Sequence, residues 1–109
     1  MRIGTFTATD DGYAGRLHTL SLDVALALVP ASPSDNASAP DYRVMAGEGD
    51  NAREVGAAWK QVSDKAGDWI AVRIDDPSFA RPLRASLFHG SDNERVLVWS
   101  RPVRRERNA

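Results

Sequence analysis

Aromatic and arginine side chains recur at alternate positions in four segments of the C-terminal half. In residues 68–74, Trp69 and Arg73 fall on one face of an extended strand whose other face is aliphatic. Residues 82–88 and 94–101 repeat the alternation, and residues 55–62 add a third tryptophan. Aromatic rings beside arginines on neighbouring strands are how oligonucleotide-binding sheets stack bases and hold phosphates. The candidate binding face consists of Trp59, Trp69, Arg73, Arg84, Trp99, Arg101, Arg104 and Arg105.

A packing role is the competing interpretation of the three tryptophans. Trp59, Trp69 and Trp99 can form the second layer of a sandwich beneath the aliphatic residues of segment 20–28. A domain of this size needs a core, and large aromatic side chains contribute most when they are buried. We therefore expect at least two of the three tryptophans to lie in the core. A protein-binding patch is a third interpretation, because aromatic residues and arginine anchor many interfaces.

The other chemically reactive residues form no recognisable site. Asp75 and Asp76 are adjacent, so on a strand they would point to opposite faces, and the proline that follows favours an aspartate-capped turn. His18 and His89 stand outside any metal-binding or catalytic spacing. The absence of cysteine excludes thiol catalysis and thiolate zinc sites. The sequence therefore predicts no enzyme, cofactor or metal site.

Length and charge limit the remaining classes of protein. A chain of 109 residues is long enough for one domain with its own core. Residues 1–100 contain ten Lys and Arg against fourteen Asp and Glu, whereas residues 101–109 contain four Arg and one Glu. Because a nucleic-acid-binding domain usually has a basic body, this distribution favours a protein partner over nucleic acid. No segment is apolar for the ~20 residues of a membrane span, and the N-terminus does not resemble a signal peptide, so we expect a cytoplasmic protein.

Turn signals divide the chain into about eight short strands. Asp11-Gly12 is typical of a type I′ hairpin turn between residues 2–9 and 13–20. Residues 20–28 alternate as a strand, although alanine and leucine also favour helix. Further strands are predicted at residues 41–45, 55–62, 68–74, 82–88 and 95–100. The pattern indicates an all-β domain with little helix, an antiparallel meander forming a sandwich or a partly open barrel. Its predicted core includes Ile70, Val72, Ile74, Leu83, Leu87, Val96 and Val98.

The predicted domain covers residues 1–100, with one mobile loop inside it and a tail after it. Residues 30–40 contain three prolines and no large apolar side chain, so they should form a mobile loop. Residues 101–109 form a basic tail, which either steers binding to phosphates or an acidic partner, or serves only as a solubilising end.

Six short motifs in a fixed order extend over nearly the whole chain. They are Ile3-Gly4-Thr5-Phe6-Thr7, Asp11-Gly12-Tyr13, Asp41-Tyr42-Arg43-Val44, Gly56-Ala57-Ala58-Trp59-Lys60, Asp75-Asp76-Pro77-Ser78-Phe79 and Trp99-Ser100-Arg101-Pro102. In this combination the chain resembles the small bacterial family called domain of unknown function 736. The resemblance implies a bacterial protein of about this length, often encoded on plasmids and integrated mobile elements, with no established activity.

Residues and resemblance together predict a small non-enzymatic accessory or interaction protein of the bacterial cytoplasm. Its expected partner is a protein of unknown identity, without membrane contact, and its oligomeric state is open. The alternative is a weak, sequence-tolerant single-stranded nucleic-acid-binding protein that uses the candidate binding face.

Overall fold

The structure is a computed structural model that describes residues 1–32, 38–65, 67–91 and 93–100. These residues form eight strands and one short turn of 3-10 helix at Gly49–Asn51. In this part of the chain no helix has the length and apolar character needed to cross a membrane. The strands are β1 (Arg2–Ala8), β2 (Tyr13–His18), β3 (Asp23–Pro30), β4 (Tyr42–Ala46), β5 (Arg53–Ser63), β6 (Gly67–Ile74), β7 (Leu83–His89) and β8 (Glu94–Val98).

The eight strands close into a barrel. Each strand pairs antiparallel with the next along the chain, and β8 pairs back onto β1. The predicted all-β antiparallel meander is confirmed, and of the two architectures left open the barrel is the one formed. Closure satisfies the backbone groups that an open sheet would leave unpaired at its edges.

The first hairpin is confirmed, but its predicted turn type is wrong. Ala8 pairs with Tyr13, so the connection has four residues, and the N–H of Thr9 donates to the carbonyl of Gly12 at 2.8 Å. The N–H of Gly12 in turn donates to Thr9 Oγ1 at 3.0 Å. Among the described glycines, positive φ angles occur at Gly47, Gly49 and Gly67, whereas a type I′ turn requires one at Gly12. The hydrogen bond that Thr9 Oγ1 accepts from Gly12 therefore replaces the glycine-dependent turn.

Inward-facing aliphatic residues and one phenylalanine fill the barrel. Eight strands enclose an interior about wide enough for side chains to fill. Phe6 occupies part of it because its Cα partner is Gly15, where an added Cβ would lie 2.7 Å from Cγ of the Phe6 ring. The buried apolar side chains in the described ranges are those of Ile3, Phe6, Leu17, Leu26, Leu28, Val44, Ala58, Ile70, Val72, Ile74, Ala85, Leu87 and Leu97.

The predicted core of the C-terminal half is right for β6 and wrong for β8. The three isoleucine and valine residues of β6 and Leu87 are buried, and Leu83 is half-buried against the core. In β8, however, Leu97 faces inward with 1% exposure, whereas Val96 and Val98 face outward and are half-buried. Because Val96, Leu97 and Val98 are all aliphatic, the sequence does not show which of them face the interior. Pairing with Gly4 of β1, which has no side chain to compete for the space, brings Leu97 to the interior.

The two ends of the barrel differ. In an antiparallel meander the β2–β3 and β6–β7 connections lie at the same end as the end of β8. At this end, the half-buried side chains of Leu22, Phe79 and Trp99 pack against the core. The β1–β2, β3–β4, β5–β6 and β7–β8 connections surround the opposite end, which we call the barrel mouth.

Candidate functional site

The outer faces of β5, β6 and β7 bring four of the predicted site residues together. Arg73 of β6 is the Cα partner of Arg84 on β7. Ala71, two residues before Arg73 on the same face of β6, is the Cα partner of Trp59 on β5. Trp69 lies two residues from Ala71 on the same face. Strand register alone therefore places two arginines and two tryptophans on one continuous surface.

Short side chains between these large ones create a concave site. Ala71 pairs with Ser86, so the middle of the surface is low, while indole and guanidinium groups rise around it. The resulting depression, which we call the outer groove, has a volume of about 550 Å³. Its principal walls and floor are Trp59, Trp69, Ala71, Arg73, Arg84, Ser86, Phe88 and Val98.

The rings of the outer groove are held by specific contacts. The guanidinium carbon of Arg73 lies 5.6 Å from the ring centroid of Trp59, within the range of a cation–π interaction. Trp59 Nε1–H donates to the carbonyl of Ser38 at 3.0 Å, which fixes the orientation of the indole. Trp69 and Phe88 have ring centroids 5.8 Å apart with planes inclined by 35°. Both tryptophans are half-buried, so part of each ring remains open to solvent.

The charge of the outer groove is positive. Arg73 and Arg84 are exposed, and neither forms an ion pair with a carboxylate within the described ranges. No aspartate or glutamate in those ranges lines the groove. Two guanidinium groups that lack an anionic partner, next to partly exposed rings, can accept an anionic ligand that carries aromatic groups.

The expectation that at least two tryptophans lie in the core is wrong. Trp59 and Trp69 are on the outer surface, because a sheet that closes on itself leaves no second layer for them to pack beneath. Trp99 alone packs against the core, so it lies apart from the outer groove. It follows Leu97 by two residues and continues the inward-facing row of β8. The reversed faces of β8 therefore remove Trp99 from the predicted binding face.

Some of the sequence predictions fall outside the described residues. Arg101, Arg104 and Arg105 are among them, although Ser100, the last described residue, lines the outer groove. Residues 33–37 of the predicted mobile loop at residues 30–40 also lie outside the described residues. Pro30 itself ends β3, and the Ser38 carbonyl binds Trp59.

The predicted aspartate-capped turn is confirmed. The Asp76 carboxylate accepts hydrogen bonds from the N–H and the hydroxyl of Ser78 at 2.9 and 2.5 Å. These bonds lower the pKa of Asp76 below its ordinary value. In the described ranges, no three histidine, aspartate or glutamate side chains converge as metal ligands would.

Sequence reasoning missed the second concave site, at the barrel mouth. Tyr13, Tyr42, Lys60 and Arg95 meet there, although each comes from a different strand. The Tyr13 and Tyr42 rings make an edge contact with centroids 5.9 Å apart. Burial raises the pKa of Tyr42, and the neighbouring Tyr13 and Asp41 raise it further. No local motif links these four residues, so the alternation of single strands could not reveal them.

Comparison with known proteins establishes a family. No curated protein and no solved structure matches the chain. The family model described as Protein of unknown function (DUF736) matches residues 2–102. This range includes every strand of the barrel and all six motifs that carried the resemblance. The chain belongs to the family of proteins of unknown function DUF736.

Proposed function

We propose that this protein acts by binding and that its outer groove takes single-stranded nucleic acid. One observation carries the proposal: partly exposed rings of Trp59 and Trp69 stand beside two arginines that form no ion pair with a described carboxylate, in a groove that no described carboxylate lines. Stacking platforms for single strands combine these two elements, aromatic faces for bases and cations for the backbone.

The geometry suggests a role for each part of the groove. Bases stack on the open parts of Trp69, Phe88 and Trp59, and phosphates bind the guanidinium groups of Arg73 and Arg84. Stacking is worth ~1–3 kcal/mol per base and does not depend on base identity, because every base has a π-face. Binding through this surface is therefore sequence-tolerant. With two guanidinium groups in the groove, it is also weak.

The arginine-rich tail supports the same proposal. Four arginines follow Ser100, and Ser100 lines the outer groove. Residues 101–107 span at most ~25 Å when fully extended, so their cations stay within reach of a strand bound in the groove. This arrangement gives a protein with an acidic body a local concentration of positive charge.

Titration of the protein with single-stranded oligothymidylate tests the proposal. Tryptophan fluorescence should be quenched on binding, because Trp59 and Trp69 line the groove. The logarithm of the affinity should fall with the logarithm of salt concentration by at least ~1.4, or ~0.7 for each of two phosphates. Polyglutamate, which has charge but no bases, should compete poorly. If oligothymidylate fails to bind at low salt, or polyglutamate binds equally well, the proposal is wrong.

A protein partner at the same groove is the second candidate function. Tryptophan, phenylalanine and arginine are enriched among the residues that dominate protein–protein binding energy, and the outer groove contains all three. A protein partner would present an aromatic or aliphatic anchor next to an acidic side chain. Its binding would depend less steeply on salt, since fewer charges are neutralised than on a nucleic-acid backbone.

The cellular setting is part of the proposal. We place the protein in the bacterial cytoplasm, as a non-enzymatic accessory protein encoded on mobile elements, a setting that the family resemblance supports. Cell fractionation with an antibody against the protein tests the location, and recovery in a membrane or secreted fraction would contradict it.

A further inference from the structure

The barrel mouth is a concave site distinct from the outer groove. Its volume is about 450 Å³, within the ~300–1,000 Å³ typical of sites for small molecules. Ile70 and Leu87, both buried, form its apolar floor. Trp69 belongs to the walls of both sites, because its side chain lies at the rim where the outer surface meets the mouth.

Two cations occupy positions on the inward face of the barrel at this end. Lys60 is the Cα partner of the buried Ile70, and Arg95 is the Cα partner of the buried Phe6. Inward positions are normally apolar in a small barrel, because a charge there loses water without gaining a partner. Two strands thus each place a positive charge where the interior opens to solvent.

Each of these cations rests on a tyrosine ring. The Lys60 ammonium nitrogen lies 5.7 Å from the Tyr42 ring centroid, and the Arg95 guanidinium carbon lies 5.7 Å from that of Tyr13. The two rings touch each other, so both cations belong to one cluster. Within the described ranges, neither cation forms an ion pair with a carboxylate. The cluster therefore holds two positive charges near the apolar floor that no described carboxylate pairs with, although Asp41 accepts the backbone N–H of Lys60 at 2.8 Å and Asp68 lines the wall.

We propose that the barrel mouth binds a small aliphatic carboxylate. Its apolar chain lies on Ile70 and Leu87, and its carboxylate lies between Lys60 and Arg95. The tyrosine rings orient the two cations, and their hydroxyl groups can donate to the bound carboxylate. Asp68, another wall residue, disfavours ligands with several negative charges and so favours a single carboxylate over a polyphosphate.

Calorimetric titration with octanoate tests the ligand class, with octanol and octylamine as matched probes of charge. Octanoate should bind, octanol should bind at least tenfold more weakly, and octylamine should show no binding. Equal affinities for octanoate and octanol would overturn the proposal, because the cations would then contribute nothing. Absence of octanoate binding at millimolar concentration would overturn it as well.

Two variants and a control locate the site. Lys60→Met and Arg95→Met should each weaken octanoate binding by about tenfold to a hundredfold, the usual worth of a hydrogen bond to a charged group. Lys65→Met is the control, since Lys65 is exposed in the β5–β6 turn and does not line the mouth. It should bind octanoate like the unchanged protein. Melting temperatures establish that each variant is folded, and unchanged affinity in both folded variants would refute the site.

Oligothymidylate separates this proposal from the function of the outer groove. Lys60→Met and Arg95→Met should retain oligothymidylate binding, because neither residue lines the outer groove. A loss of both ligands in the same variant would mean that the two sites are one, and would overturn the assignment of a separate carboxylate site.

Discussion

The guanidinium group of Arg73 lies over the indole of Trp59, 5.6 Å from its centroid, although the two residues come from different strands. Ala57 is the Cα partner of Arg73, and Ala71 is the Cα partner of Trp59, so the pair is diagonal across β5 and β6. The two alanines leave space for the long side chains to meet. Arg84, in contrast, makes no cation–π contact with a ring of the described residues and is the less constrained of the two cations in the outer groove.

Arg84→Ala should reduce the salt dependence of oligothymidylate binding. Removing one phosphate contact lowers the slope of log affinity against log salt by ~0.7. Arg16→Ala is the matched control, because it removes the same charge from an exposed position on β2, outside the groove. Arg16 pairs with Asp23 at 2.5 Å, and an exposed pair of this kind contributes only ~0–1 kcal/mol to stability. Equal slopes for the two variants would show that Arg84 does not contact phosphate.

Gly15→Ala should destabilise the barrel. The new Cβ would come closest to the backbone carbonyl oxygen of Thr5 and would lie 2.6 Å from Cα and 2.7 Å from Cγ of Phe6, so the backbone of β1 must move. We expect a loss of ~1–3 kcal/mol in the free energy of unfolding, as for other overpacked cores, measured by urea denaturation.

Gly49→Ala provides the comparison for Gly15→Ala. A Cβ at Gly49 meets no atom within 4 Å, but its φ of +59° is unfavourable for alanine, at a cost of ~1 kcal/mol. Gly15→Ala should therefore be the more destabilising of the two. The reverse order would indicate that the barrel accommodates the extra methyl group by a small shift of the β1 backbone at Thr5 and Phe6.

The sequence predicted those strands in which apolar and polar residues alternate clearly. In β6 the aliphatic residues alternate one by one with the residues of the row that contains Trp69 and Arg73, and burial follows this alternation. In β8, Val96, Leu97 and Val98 are all aliphatic, so the sequence could not specify which face is buried. Because the sequence assigned the faces of β8 in reverse, it placed Trp99 on the predicted binding face, although Trp99 packs against the core.

Barrel closure could not be predicted from local patterns. The pairing of β1 with β8 joins the two ends of the domain, and no turn signal links them. Without knowledge of closure, the sequence favours a sandwich, in which buried tryptophans supply much of the core. The mouth cluster depends on the same closure, because Arg95 meets Tyr13 only when β8 returns to β1 beside β2. Pairings between segments that are distant in the chain therefore account both for the misplaced tryptophans and for the missed cluster at the barrel mouth.

The raised pKa of Tyr42 predicts a loss of stability in alkaline solution. Its ordinary pKa is 10.0, and burial followed by the nearby Tyr13 and Asp41 raises it in the folded protein. Below pH 10 the tyrosine is neutral in both states, so the stabilisation is fully present. As the pH rises through the folded pKa, the unfolded chain has already ionised, and the contribution is lost.

Tyr42→Phe should reduce this alkaline loss. The free energy of unfolding, measured by urea denaturation at successive pH values from 8 to 11, should decline less steeply in the variant than in the unchanged protein. Comparing the two proteins cancels the titration of lysines, which overlaps this range. Parallel curves would mean that Tyr42 ionises equally readily in the folded and unfolded chains.

Alanine substitutions at Trp69 and Trp99 should have opposite consequences. Trp69 lines the outer groove, so Trp69→Ala should weaken oligothymidylate binding by ~1–3 kcal/mol, the worth of one stacked base. Trp99 packs against the core, so Trp99→Ala should lower the free energy of unfolding by ~3 kcal/mol, toward the lower end for large aromatic residues because Trp99 is only half-buried. Of the ~5–15 kcal/mol that stabilises a domain, such a loss is large enough to lower the melting temperature clearly.

Each tryptophan variant is the control for the other. Trp99→Ala, at a temperature where it remains folded, should bind oligothymidylate with nearly unchanged affinity, because Trp99 packs against the core and does not line the outer groove. Trp69→Ala should lose less stability than Trp99→Ala, since its ring packs on the surface against Phe88. If Trp99→Ala abolishes binding while the fold is intact, Trp99 belongs to the binding face and the assignment of the groove is wrong. If Trp69→Ala leaves binding unchanged, stacking on this ring does not contribute.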